Sequence, residues 1–196
     1  MHKGSTGRFL EIACGLGETV ALLRDRGWQA EGVDIDASTK PFHDRLGIRT
    51  QIGRFENIDI AGQFDWIHIA HAIYFISEPM GFLQRLRGSL SPGGLFTVAI
   101  SDFLAATDDA RPTYAHTFYP TGASMRHALA LAGFVPGPAR NSSGSIYIAS
   151  HVGSAPAPAV NTGLIRLGYA SKSLRYRLYG RPYLAARQLA KRVLGR

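Results

Sequence analysis

Residues Glu11–Gly17 read E-I-A-C-G-L-G, and Gly32-Val33-Asp34 follows fifteen residues later. Arg8–Ala13 reads as a buried β-strand that runs into a glycine turn. Glu18–Arg26 then carries Val20, Leu22 and Leu23 at helical spacing, and Gly27 stops it. Gly15 and Gly17 lack a Cβ, so the turn can be tight and a ligand can approach the backbone. The N–H groups that open the helix near Glu18 point at such a ligand. Asp34 ends a second strand, 19 residues after Gly15. A carboxylate there can accept hydrogen bonds from a ribose diol, as nucleotide-type cofactors require in open α/β sheets. Alternatively, Asp34 or Asp36 caps the next helix. The glycine turn and the acid occurring together favour the ribose.

Working outward, the chain keeps alternating. Ala30–Asp34 is the second strand, Ser38–Leu46 a helix with Ser38 placed to cap it, and Ile48–Ile52 a third strand. Phe64–Ala70 is a fourth strand. Pro79–Leu90 has apolar residues at 80, 82, 83, 86 and 90, the period of an amphipathic helix. The turn S-P-G-G at Ser91–Gly94 leads into a fifth strand, Leu95–Ser101. Thr121–Gly133 is a late helix, and Phe134–Val135 and Ser145–Ser150 supply the last strands. Short strands separated by helices predict a parallel sheet covered on both faces. The organisation expected is a main domain over 1–152, a stiff Pro/Ala linker over 153–163 and a helical tail over 164–196.

Composition narrows the function classes. One cysteine among 196 residues excludes an intrachain disulfide and a multi-cysteine metal site. No carboxylate or H-x-x-x-H set points to a metal. The longest apolar-looking stretch, Trp66–Ile76, is too short to cross a bilayer, which needs about 20 residues. The opening M-H-K-G-S-T-G-R has no apolar signal region, so cytoplasmic residence is expected. The net charge of +8 is uneven: residues 161–196 hold nine of the 22 Lys/Arg and none of the 14 acids, which leaves residues 1–160 at −1. The tail, and not the main domain, calls for an anionic partner.

With these motifs in hand, the chain resembles the class I S-adenosylmethionine-dependent methyltransferases, closest to bacterial members that act on small molecules, glycans and lipids. The resemblance covers residues 8–150. Glu11–Gly17 resembles the family's first motif and Gly32–Asp34 its second. Phe64-Asp65 opens what looks like strand four, Leu90–Leu95 resembles the turn before strand five, and Ala132–Phe134 resembles the end of the late helix. A nicotinamide enzyme would instead want G-x-G-x-x-G, and its third glycine falls on Val20.

The resemblance implies a seven-stranded three-layer α/β/α sandwich that binds S-adenosyl-L-methionine. Glu11, Ala13, Cys14, Gly15 and Gly17 would surround the methionine part, Asp34 the ribose, and Ile35 the adenine face. Many relatives carry an acid after strand three. Here Arg54 stands where that acid often sits, so either Glu56, beside Phe55, substitutes or backbone groups read the adenine. His71, just past strand four, lies where relatives contact the cofactor and the methyl. His116, in H-T-F-Y-P, matches a segment bordering the substrate pocket. Both are acid–base candidates, since histidine titrates near neutral pH. Phe75 stands where a further family histidine often lies. Tyr74, Asp102, Tyr114 and Tyr119 are candidates for the acceptor wall, with aromatic packing the plainer reading of each tyrosine. His68 reads as a hydrogen-bonded core residue, and His2, His43, His127 and His151 show no partner pattern. Relatives usually carry helices before strand one, but here seven residues precede Arg8. The acceptor site is therefore expected to be open, or covered by the tail, a partner or the substrate.

The activity implied is methyl transfer to an oxygen of a small molecule, glycan or lipid-linked acceptor. Alternatives are an inactive cofactor-binding scaffold that docks through its tail, and an RNA methyltransferase. The slightly acidic main domain and the lack of an N-P-P-Y-like motif disfavour nucleic acid. From Pro182 the tail reads as a helix with Tyr183, Ala186, Leu189, Ala190, Val193 and Leu194 on one side and Arg187 and Lys191 on another. Such segments suit an anionic membrane surface. The alternative is that the apolar stripe packs on the main domain.

Overall fold

The structure is a computed structural model that describes residues 6–58, 60, 62–104, 116–180, 182, 183, 185, 186 and 189. The elements run β1 (Arg8–Ile12), α1 (Glu18–Asp25), β2 (Gln29–Asp34), α2 (Lys40–Leu46), β3 (Arg49–Ile52), β4 (Phe64–Ala70), α3 (Pro79–Gly88) and β5 (Leu90–Ser101). They continue with α4 (Gly122–Leu131), β6 (Phe134–Pro136), β7 (Arg140–Ser142), β8 (Ser145–Val152) and α5 (Thr162–Arg175). One sheet holds all the strands in the order β3-β2-β1-β4-β5-β8-β6, and β7 pairs with β8 off that path. The first five strands are mutually parallel, while β8 runs antiparallel to β5, β6 and β7. Seven strands were expected, and the short β7 makes an eighth. Its sequence, R-N-S, has no apolar alternation, and all three residues are exposed.

Strand residues alternate between two cores, as the period of two requires. Leu10, Ile12, Ile67, Ile69, Phe96 and Val98 face one way and bury Phe82, Leu83, Leu86 and Leu129 from α3 and α4. Phe9, with Ala30, faces the other way and buries Val20, Ala21 and Leu23 of α1. Burying such a side chain is worth about 1.5–3 kcal/mol, so the two cores hold the layers together.

Four local expectations change. Ala13 does not continue the first strand, because its φ of 58° turns the chain into the glycine loop. Ser38 is not the cap: the Asp36 side chain accepts from Ser38 N at 2.9 Å, and a 3₁₀ turn over Ala37–Thr39 precedes α2. A carboxylate acceptor is the stronger capping group at that position. The turn Ser91–Gly94 lies inside β5, because Leu90 already pairs with Phe64 before the register resumes at Trp66 and Leu95. The segment expected as a linker is held to the main domain at one point, since the His127 ring on α4 donates from Nδ1 to the Pro158 carbonyl at 2.8 Å. Among the described residues no helix is long and apolar enough to cross a membrane.

Candidate active site

Strand order reverses at β1, which has β2 on one side and β4 on the other. Ligands of open α/β sheets bind at the carboxyl ends of strands at such a point. A cleft of about 430 Å³ lies there, lined by Ala13, Ile35, Phe55, Glu56, His71 and Phe75 among others. These come from the loops after β1, β2, β3 and β4, and they include five of the ten residues expected around a cofactor: Ala13, Ile35, Phe55, Glu56 and His71.

The glycine loop is held from three directions. Gly15 N donates to Asp34 Oδ2 at 2.7 Å, and Asp36 N donates to Asp34 Oδ1 at 2.9 Å. Asp34 is therefore buried and braces the loop. An ionised carboxylate has about four acceptor sites, so capacity for a diol remains. From beneath, the His43 ring on α2 donates from Nε2 to the Gly15 carbonyl at 2.7 Å. His43 is fully buried, and nothing in the sequence marked it, because its partner is a backbone atom 28 positions away.

The two glycines do different work. A Cβ on Gly15, at φ 54°, would meet nothing within 4 Å, so this residue faces open space. A Cβ on Gly17, at φ 82°, would stand 2.2 Å from Ile48 Cδ1 and 3.2 Å from His43 Cδ2. Gly15 leaves room for a ligand, whereas Gly17 lets α1 approach its neighbours. Ala13 adopts the same left-handed conformation with a Cβ, which strains an L-residue by about 1–2 kcal/mol.

Glu11 is buried, and its Oε2 has no hydrogen-bond partner among the described residues. Burial pushes its pKa up from 4.5 to about 7, against a smaller opposing effect of the Thr19 hydrogen bond. An orphaned buried carboxylate oxygen beside the glycine turn has an ammonium as its complement. The Cys14 side chain is buried in the α1 core, which leaves the backbone as its way to a ligand. Burial, then Asp34 and Glu11, push its thiol up to about 12, so it is no nucleophile.

On the adenine side, Ile35 is 58% exposed and offers its face to the cleft. Phe55 is buried and packs on Phe82 at 5.6 Å. Glu56 accepts from Ser77 N at 3.0 Å, Ser77 Oγ at 3.1 Å and Arg54 Nε at 3.3 Å. Its carboxylate is committed to these partners and held below the usual range, first by the Ser77 backbone hydrogen bond. That favours the backbone as the reader of an adenine edge.

His71 lines the cleft at the end of β4, with φ 53°. Its backbone N–H donates to Ala99 O at 2.8 Å. Its ring lies between two hydroxyls, Nδ1 3.4 Å from Ser101 Oγ and Nε2 3.2 Å from Ser145 Oγ. Ser101 Oγ is also 3.3 Å from the Tyr74 hydroxyl. His116 does not join this group. It sits among Tyr74, Phe75, Phe103 and Tyr119, with ring centroids 4.3, 4.9, 5.6 and 5.3 Å away. Burial lowers its pKa, which disfavours the charged ring, and Nδ1 is buried without a partner among the described residues. Thr117 pins it there: its N–H donates to Tyr74 O at 2.8 Å and its hydroxyl to Ile76 O at 2.6 Å. Asp102 accepts from Leu104 N and Asn141 Nδ2, both at 3.1 Å. Tyr114 lies outside the described residues. His68 is tied to Thr97 Oγ1 at 2.7 Å, as expected of a packed strand residue.

The family model for a methyltransferase domain matches residues 2–136. No curated protein matches the chain in sequence. A Mesorhizobium loti S-adenosylmethionine-dependent methyltransferase is similar in structure, with a TM-score of 0.66 at 13% identity over 77% of this chain and 93% of that one. A Haloferax volcanii putative methyltransferase, solved with the Trm112 methyltransferase activator, gives 0.66 at 14% identity over 78% of this chain and 85% of that one. The glycopeptide N-methyltransferase MtfA, complexed with S-adenosyl-L-homocysteine, gives 0.60 at 15% over 76% and 84%. At such identities the likeness concerns the fold, while the family match spans the glycine loop through β6. The chain belongs to the methyltransferase-domain family of class I S-adenosylmethionine-dependent methyltransferases.

Proposed function

We propose that this enzyme transfers a methyl group from S-adenosylmethionine to an oxygen of a small-molecule, glycan or lipid-linked acceptor. The observation that carries the reading is the cleft at the β1 crossing, which Ile35 and His71 both line, together with the Asp34-braced glycine loop after β1. When bound, the cofactor supplies an electrophilic methyl on a sulfonium. The Glu11 orphan oxygen would hold its ammonium, Asp34 its ribose diol and Ile35 its adenine face. Gly15 leaves the space these groups need.

Positioning is the main contribution, since effective molarity is worth about 7–11 kcal/mol. His71 stands where the acceptor hydroxyl would meet the methyl, with Ser101 and Ser145 fixing its ring. A neutral imidazole there can take the hydroxyl proton and return it to water, worth about 10²–10⁴-fold. His116, enclosed by rings, shapes the acceptor side and is the second candidate.

Calorimetry with S-adenosylmethionine, S-adenosylhomocysteine and NADH tests the donor, with micromolar-range binding expected for the first two. Binding of NADH alone would overturn the reading. With an acceptor in hand, His71→Ala should lower turnover about a hundredfold and leave cofactor affinity unchanged. Full turnover in both His71→Ala and His116→Ala would assign catalysis to positioning alone.

A further inference from the structure

Helix α5 uses one stripe to hold the catalytic domain and exposes another. Ile165, Gly168, Tyr169, Lys172 and Tyr176 are the half-buried positions of the segment and lie on one side of the helix. From that stripe the Tyr169 hydroxyl donates to Tyr119 O at 3.2 Å, and Lys172 Nζ donates to Phe103 O. A Cβ on Gly168 would come within 3.3 Å of Leu104, so the glycine admits the loop closely. Phe103 and Tyr119 are two of the rings around His116. The helix is therefore fastened to the acceptor side of the site.

Among the described residues its other stripe makes no such contact. Leu164, Leu167 and Leu174 follow one another at steps of three and seven, and each is between 58% and 65% exposed. At 100° per residue they fall on one strip of α5. Arg175 borders the strip on one side and Arg166 on the other, and the π-helical turn Tyr176–Gly180 that follows adds Arg177 and the exposed Leu178. Beyond it, Tyr183 and Leu189 are also exposed, so the described members of the tail's apolar side do not pack on the main domain. Ala190, Val193, Leu194, Arg187 and Lys191 lie outside the described residues. The whole segment 161–196 has nine cations and no acid. Cations alone would suit any polyanion, but a row of bare leucines gains nothing from a phosphodiester backbone. Together the two features match a bilayer surface, with leucines among acyl chains and arginines reaching up to headgroups.

We propose that α5 and the turn that follows it seat the enzyme on an anionic lipid surface through Leu164, Leu167, Leu174, Leu178 and the flanking arginines. Because the same helix is tied to Phe103 and Tyr119, docking would place the acceptor side of the cleft at that surface. The acceptor is then a lipid-anchored molecule. The acceptor statement rests on the methyl-transfer reading, whereas the surface statement does not.

Sedimentation of the full chain with phosphatidylglycerol-containing and pure phosphatidylcholine vesicles tests the surface. A preference for the anionic vesicles that salt weakens is expected. Arg166→Gln/Arg175→Gln/Arg177→Gln should lower that partitioning about a hundredfold, as three cations near the headgroups imply. Leu167→Glu/Leu174→Glu should lower it at least as much, and both variants should bind S-adenosylmethionine as the parent does. Equal partitioning to both vesicle types would overturn the proposal. So would vesicle binding untouched by the leucine pair, and an RNA probe bound as well by that pair as by the parent would assign the tail to nucleic acid. Labelled methyl should pass from S-adenosylmethionine into the organic phase of a membrane extract, and label confined to water-soluble acceptors would overturn the acceptor class. Vesicle binding without S-adenosylmethionine binding would uphold the docking and overturn the methyl-transfer reading instead.

Discussion

At the cofactor end, Gly15, Asp34 and Asp36 belong to one β-α-β unit and hydrogen-bond directly to one another. On the acceptor side, Tyr74, Ser101, His116 and Tyr169 come from four separate segments, and backbone carbonyls supply several of the clamps between them. The first arrangement is local and demands residue types: a glycine where a Cβ would block a ligand, and an acid that can brace a loop. The second demands contacts, and many side chains can donate to a carbonyl. A cofactor shared by a whole family suits the first construction, and an acceptor that differs between members suits the second.

Changes at the cofactor end should therefore strike affinity and stability, and changes on the acceptor side turnover. The largest effect is expected for Asp34→Ala, which removes both the loop brace and the diol acceptor. It should weaken S-adenosylmethionine binding by about 1.5–3 kcal/mol in calorimetry, and unchanged affinity would break the contrast.

Glu11 gives a pH signature. Its folded-state pKa, near 7, lies above the ordinary 4.5, so the ligand-free protein loses stability as pH rises from about 4.5 to about 7. An ammonium partner favours the ionised form, so cofactor affinity should rise over that window. A tenfold or greater gain between pH 5.5 and 7.5 is expected, with proton release on binding at pH 6. Above about pH 8 the ligand's own α-amino group deprotonates and the gain should reverse. Glu11→Gln should flatten both the stability and the affinity profiles below pH 7.

The glycines separate packing from ligand space. Gly17→Ala should lower folding stability by about 2 kcal/mol in denaturant titration, from left-handed strain and the Ile48 contact together. Gly15→Ala should lower it by about 1 kcal/mol, the strain alone, while weakening cofactor binding more than Gly17→Ala does relative to its stability loss. Smallest is Ala13→Gly, which relieves the same strain and should raise stability by about 1 kcal/mol.

The alternation of strands and helices was legible because buried strands and amphipathic helices repeat with different periods. Asp34 and the glycine loop were singled out because a strand end, a Cβ-free turn and an acid at the next strand end are local, type-specific requirements, whereas Ile35 was named through the family resemblance alone. His71 was found as the residue just past β4, a position that strand order turns into a cleft wall. His43, Thr117 and the serines beside His71 were not found. His43 and Thr117 act on backbone atoms brought near by folding, and a lone polar side chain carries no mark of a distant carbonyl.

By itself the sequence determined the alternation of strands and helices, the glycine turn and the acid that ends the second strand, since these follow from periodicity and from what glycine and aspartate can do locally; the crossing point at β1 came with the strand order. The sequence also determined that the positive charge belongs to the tail. Only the tertiary structure decided that Gly17 serves packing while Gly15 serves space, that Glu56 is committed to Ser77, and that His71 and His116 sit in different surroundings. It alone decided which stripe of α5 is held and which is bare. The reason is the same in each case: a helix or turn specifies where its side chains point, but what they meet depends on segments dozens of residues away.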